Sequence, residues 1–154
     1  MSGPTLKERI SSELREAMKA GDRVRLGALR MLSAAVTNRE KEVLHELSDD
    51  EVRDVAAKEV KKRTESIEAF EGAGRRELAD RERAEREAIE PYAPEQLDAA
   101  AVDALIEQAF VETGATSEKD LGRVMGSVMS RARGRVDGSV VQTRVRARLS
   151  GGEG

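Results

Sequence analysis

Proline occurs only at positions 4, 91 and 94. This constrains the fold more than any other feature. Residues 5–90 and 95–154 contain no proline to break a helix, whereas Pro91-Tyr92-Ala93-Pro94 stops one and biases the residue before each proline toward extended backbone. A chain of 154 residues makes one domain or two small ones. The double proline is where a boundary is expected, with residues 1–93 as one domain and 94–150 as the other, followed by a disordered Gly-Gly-Glu-Gly end over 151–154. Tyr92, between the prolines, reads as a packing plug at that junction.

Helical spacing fills both stretches. Thr5 with Glu8 and Ser48 with Glu51 are capping boxes, and Asp22, Asp98 and Ser117 stand where further helices should begin. Apolar residues recur three and four apart: Leu6, Ile10, Leu14, Ala17 and Met18, then Val52, Val55, Ala56, Val60, Ile67 and Phe70. After the prolines come Val102, Leu105, Ile106, Ala109 and Phe110, then Leu121, Val124, Met125, Val128 and Met129, and finally Val141, Val145 and Leu149, all read as core. The helix from Asp22 to about Leu44 is apolar nearly all round in its first half, and Gly27 within it predicts a close helix crossing. Residues 75–90 are dense in Arg and Glu and read as a solvated helix, with Leu78 and Ile89 as its apolar anchors. No segment alternates as a strand does, so the expected class is all-α with six or seven helices.

Composition removes many chemistries. With no cysteine and a single histidine, His45, the chain has no disulfide, thiolate nucleophile or multi-histidine metal cage. His45 lies near a helix end, where a dipole contact is expected rather than a ligand role. There is no P-loop and no GxGxxG. No apolar run reaches the roughly 18–20 residues that span a bilayer, and the N-terminus lacks a signal-type apolar core. The expectation is a cytoplasmic protein without membrane contact, catalytic residues, metal or cofactor.

Charge is unevenly spread. Net charge is −3, yet residues 121–149 hold seven arginines against one acid, Asp137, so that segment is +6 and the remainder −9. Such asymmetry marks either a polyanion-binding end or a solvated helical face. On a wheel of residues 121–133, Gly122 and Gly126 sit one turn apart beside the apolar arc, with Arg133 in line. Two interior glycines cost roughly 2 kcal/mol against alanine, so a tight helix crossing or a partner's backbone is expected along that flank. Arg144 and Arg148 stack four apart, and the Gly134-Arg135-Val136-Asp137-Gly138 loop joins the last two helices, so Arg133, Arg135, Arg144 and Arg148 are expected to converge. Asp137 reads as a turn or cap residue. Guanidinium groups suit bidentate phosphate contacts, and without aromatics for base stacking any RNA contact would be to backbone and shape.

The most specific run is Gly114-Ala115-Thr116-Ser117, Asp120-Leu121-Gly122-Arg123-Val124-Met125, Met129 and Gly134-Arg135-Val136-Asp137-Gly138 with Val141 and Val145. Upstream stand Leu29-Arg30-Met31-Leu32, Asn38, Lys62-Arg63-Thr64-Glu65-Ser66 and Gly74-Arg75-Arg76. Over about residues 5–149 this resembles the YqeY-like family, related to the C-terminal tail domain of the B subunit of the glutamyl-tRNA(Gln)/aspartyl-tRNA(Asn) amidotransferase. The family usually has Tyr-Leu-Pro where this chain has Tyr92-Ala93-Pro94, and lysine at Arg123. The resemblance implies a bacterial all-α protein with a larger N-terminal helical domain and a small C-terminal three-helix domain. It also implies a relation to carbon–nitrogen ligases that use glutamine as amide donor, whose chemistry lies in domains and a subunit absent here.

The leading expectation is a tRNA-binding or tRNA-associated accessory module. Its candidate RNA site is Arg123, Arg133, Arg135, Arg144, Arg148, Gly122, Gly126, Gly134 and Gly138. A second reading is an adaptor that docks on an amidotransferase or aminoacyl-tRNA synthetase through the helices of residues 23–90. A third is an accessory subunit of amide ligation.

Overall fold

A computed structural model of the chain describes residues 3–151. Seven α-helices carry the fold: α1 (Leu6–Ala20), α2 (Arg23–Val43), α3 (Asp49–Gly72), α4 (Arg76–Ile89), α5 (Ala99–Thr113), α6 (Leu121–Ala132) and α7 (Gly138–Gly151). Two 3-10 turns, Glu90–Tyr92 and Glu118–Asp120, complete it, and no strand occurs among the described residues. Most of the expected disordered end, residues 152–154, lies outside the described residues. Gly151 belongs instead to the last turn of α7.

The capping residues act as their chemistry requires. Thr5 Oγ1 accepts from Glu8 N (3.1 Å) while Glu8 Oε1 accepts from Thr5 N (2.8 Å), and Ser48 and Glu51 repeat the exchange at 3.2 and 3.0 Å. The backbone N–H bonds from Thr5 and Ser48 hold the Glu8 and Glu51 carboxyls below the usual range. Asp22 and Asp98 accept from Arg25 N and Ala101 N. Ser117 behaves differently. It precedes the 3-10 turn rather than α6, and it is Asp120 that reaches back, accepting from Thr116 N (2.9 Å) and Ser117 N (3.2 Å).

Helix α1 ends at Gly21 with φ 71°, the left-handed cap glycine adopts without penalty. Helix α2 ends the same way on Leu44, at φ 61°, with 87 % of the residue exposed. A leucine there carries backbone strain and gains no burial. Leu44→Gly should therefore raise stability by about 0.5–1 kcal/mol. Urea unfolding of the two proteins checks this, and an unchanged or lower midpoint would show that Leu44 is not strained in solution.

The residues divide into two compact units between Pro94 and Glu95. In the first, α4 packs chiefly on α3 and next on α2. Its core comprises Leu6, Ile10, Ala28, Leu29, Leu32, Val36, Leu47, Val52, Val55, Ala56, Ile89 and Tyr92. Tyr92 is 2 % exposed, and burial, then the nearby Glu13 carboxylate, push its hydroxyl pKa up. Three expectations are corrected here. Gly27 is not at a close crossing, since a Cβ added there meets nothing within 4 Å. Leu78 is exposed, and its neighbour Ala79 is buried in its place, alongside the expected anchor Ile89. Helix α4 is therefore a packed element and not merely a solvated one. Arg83 bridges it to Glu71 and Arg86 donates to Thr64 Oγ1 (3.1 Å), both on α3.

The second unit encloses Val102, Ile106 and Ala109 of α5, Val124, Val128 and Ala132 of α6, and Val141, Val145 and Leu149 of α7. Phe110, Met125 and Met129 are only partly buried at the edge of this core. Leu97 N donates to the Arg135 carbonyl (2.8 Å) and Gln96 Nε2 to the Gly134 carbonyl (2.9 Å), tying the start of the unit to the loop after α6.

Candidate nucleic-acid interface

The arginine-rich segment meets acids from its own unit. Residues 95–120 hold seven acids and one lysine, which is −6 against the +6 of residues 121–149. Three of these acids, Asp103, Glu107 and Glu112, lie on α5 and meet the arginines. Arg144 pairs with Asp103 and Arg148 with Glu107, so two residues four apart on α7 face two residues four apart on α5. Arg148 is held twice over. Its Nη2 lies 2.8 Å from Glu107 Oε1, and its guanidinium sits 4.4 Å above the Phe110 ring centroid. Arg131 reaches Glu112 (2.7 Å), which also accepts from Ser127 (3.0 Å). The guanidinium partners Arg148 and Arg131 hold the Glu107 and Glu112 carboxyls below their ordinary range.

The structure does not converge Arg133, Arg135, Arg144 and Arg148 around one loop. Arg144 and Arg148 turn to α5, and Arg135 Nε donates to the Glu95 carbonyl (3.0 Å). Arg123 pairs with Asp120 and donates to the Thr113 carbonyl (3.2 Å), closing the α5–α6 connection. Gly134, at φ 77°, turns the chain out of α6, and Gly138 opens α7, where an added Cβ would make ordinary contact with Met129 Cε at 3.8 Å. Asp137 accepts from Ser139 N (2.9 Å) and Ser139 Oγ (2.8 Å), the capping role its position suggests.

Two arginines of the segment stand apart. Arg133 and Arg146 are exposed, and neither side chain makes an ion pair or hydrogen bond among the described residues. At 100° per residue Arg146 lies about 160° round α7 from both Arg144 and Arg148, away from the α5 acids. On α6, Gly122 and Gly126 lie about 100–180° round from Ser127 and Arg131, the residues that face Glu112. A Cβ at either glycine meets nothing within 4 Å, and both are exposed. No tight crossing among the described residues uses them, so their bare backbone is open there. The four-residue spacing of Arg144 and Arg148 puts Arg146 on another face of α7, and for that reason the sequence reading leaves it out of the candidate site.

Asp120 holds the most perturbed carboxyl of this unit. The Thr116 backbone N–H first, then Arg123 and the Ser117 N–H, bring its pKa down to about 2 from 3.8. A carboxyl depressed on folding stabilises above its unfolded pKa, and that contribution is lost as pH falls through the folded value. Asp120→Asn should therefore be less stable than the parent at neutral pH, with the gap closing between about pH 4 and pH 2. Denaturant midpoints of both proteins across that range check this. A gap independent of pH would mean the charge is not responsible.

No group of three or more His, Cys, Asp or Glu among the described residues could hold a metal ion, and His45 turns to the Glu46 carbonyl (2.9 Å) and Glu51 (3.5 Å) rather than to the end of α2. Among the same residues no helix is long and apolar enough to cross a membrane. A family model described as Yqey-like protein matches residues 7–149. No curated protein matches the chain.

Proposed function

The chain belongs to the YqeY-like family, and we propose that within it this protein is a cytoplasmic, tRNA-associated accessory module. In this reading a small three-helix C-terminal domain binds structured RNA, similar to the tail of the amidotransferase B subunit. The larger N-terminal helical domain serves a partner, an amidotransferase or an aminoacyl-tRNA synthetase. The protein performs no chemistry of its own.

The observation that carries the reading is the pair Arg133 and Arg146, unpaired in a segment whose one acid, Asp137, is engaged in capping. An exposed guanidinium without a carboxylate partner takes a phosphate with no pair to break. The open backbone at Gly122 and Gly126 admits a sugar–phosphate chain more closely than any side chain would. Such contacts position RNA and do not read its sequence, so affinity should be similar across tRNA species.

The test is binding of total tRNA at two salt concentrations. With Arg133 and Arg146 each meeting a phosphate, log K should fall by roughly 1.5 per decade of salt, and Arg133→Ala with Arg146→Ala should remove most of that slope. No binding in about 50 mM salt, or an unchanged slope in the double variant, overturns the reading. The adaptor reading would then lead. It is favoured by Leu44, 87 % exposed at the end of α2, and in it Leu44→Ser should weaken co-purification with the synthetase or amidotransferase.

A further inference from the structure

The row of α3 that runs through Val52, Ala56 and Ile67 also carries Glu59 and Arg63, 6 % and 4 % exposed. RNA binding makes no use of either. The Arg63 Nη1 donates to Glu59 Oε1 (3.1 Å), its Nη2 donates to the Met31 sulfur on α2 (3.1 Å), and its Nε is buried with no hydrogen-bond partner. A guanidinium offers five N–H donors, and a thioether sulfur is a weak acceptor. This cation is therefore short of acceptor oxygen on the side where Met31 lies. Met31 is itself 49 % exposed, so the side chain that caps the buried cation is open to solvent.

We propose that Met31 is an oxidation site for hydrogen peroxide, and that the sulfoxide oxygen it gains is held by the Arg63 guanidinium. The thioether has two lone pairs. Arg63 engages one, and the other attacks a peroxide oxygen. An S–O bond forms as the O–O bond breaks, and the departing hydroxide takes the proton of the transferred oxygen. The products are one sulfoxide and one water: sulfur loses two electrons and peroxide gains them. Negative charge grows on oxygen during the step, and the neighbouring guanidinium stabilises it. The flexible methionine side chain then rotates to bring its oxygen to the guanidinium, so that a strong acceptor replaces a weak one. Sulfoxide formation commonly disrupts an apolar core. Here it supplies what the buried cation lacks, and the α2–α3 contact tightens.

Met18 is the internal control. It is more exposed, at 57 %, and its sulfur accepts no hydrogen bond among the described residues. The folded chain is treated with dilute hydrogen peroxide, quenched and digested with trypsin. Peptides 31–39 and 16–19 each contain a single methionine, and their one-oxygen mass gains give the two rates. Met31 should react about tenfold faster than Met18, the factor supplied by one modest charge-assisted hydrogen bond, and the ratio should collapse in the urea-unfolded chain. A folded ratio above about two supports the proposal, and a ratio at or below that overturns it.

A second measurement does not depend on oxidation rates. Met31→Gln places an amide oxygen near Arg63, whereas Met31→Leu places none, and the two residues have similar helix propensity. The Gln variant should melt at a higher temperature than the Leu variant. An equal or lower midpoint overturns the proposal even if Met31 oxidises quickly.

Discussion

Glu59→Gln should destabilise the folded chain by about 3 kcal/mol, near the lower end of what breaking a buried ion pair costs. The Glu59 and Arg63 side chains are 8 % and 5 % exposed, so neither is fully solvated when the other loses its charge. Glutamine preserves shape and an acceptor oxygen, which isolates the charge itself. Lys62 is indifferent to the change: it reaches Glu59 at 3.2 Å but is 68 % exposed and returns to water. The cost falls at the low end because Glu82 remains within electrostatic reach of Arg63. Its own carboxyl is pushed up first by burial and then by Glu85, and drawn down by Arg63. Urea unfolding measures the loss, and a value under about 1 kcal/mol would show that water reaches the pair. Replacing both partners, Glu59→Leu with Arg63→Met, should bring stability back to within about 1 kcal/mol of the parent, because no charge is then buried without its partner.

This pair also shows where the sequence stops being legible. Val52, Ala56, Glu59, Arg63 and Ile67 form one row on α3, each three or four residues from the last. Two charged residues in the middle make that row look like an interrupted stripe, so Val60 and Phe70, both half-buried, were read into it instead. Helix starts were legible because capping is local: Thr5 with Glu8, Ser48 with Glu51, Asp22 and Asp98 need only residues three positions away. Core positions of α5, α6 and α7 were legible for the same reason. Tertiary pairing was less so. Asp103 and Glu107 share with Arg144 and Arg148 the four-residue spacing that lets the two pairs meet. Nothing local, however, said that α5 and α7 would lie side by side. Reading residues 121–149 alone therefore made the segment appear more positive than its surroundings leave it. Gly27, Gly122 and Gly126 all looked like close-packing sites. The structure finds open space at each, which for a glycine cannot be read without knowing the neighbour.

Asp103→Asn with Glu107→Gln should raise the affinity for structured RNA by about tenfold in low salt and steepen the salt dependence by roughly 1.5 in slope. The two acids occupy Arg144 and Arg148 as phosphates would, and the exposure of both pairs bears on the exchange. Arg144 and Asp103 are 39 % and 64 % exposed, and Arg148 and Glu107 are 42 % and 62 % exposed. Exposed ion pairs are worth only about 0.2–1 kcal/mol each, so the fold should survive their loss. In the parent, a phosphate at Arg144 must displace a carboxylate and leave it unpaired beside the RNA. In the variant that competition is gone, and the unit carries two fewer negative charges. Arg148 remains anchored over Phe110, which fixes its guanidinium for a ligand. The informative comparison is with Arg133→Ala and Arg146→Ala, which remove cations that have no acid to displace. If the RNA reading is right, the two double variants move slope and affinity in opposite directions. If the Asn/Gln variant leaves both quantities at the parent's values, Arg144 and Arg148 serve only to hold α7 against α5. The RNA contacts would then come from Arg133 and Arg146 alone.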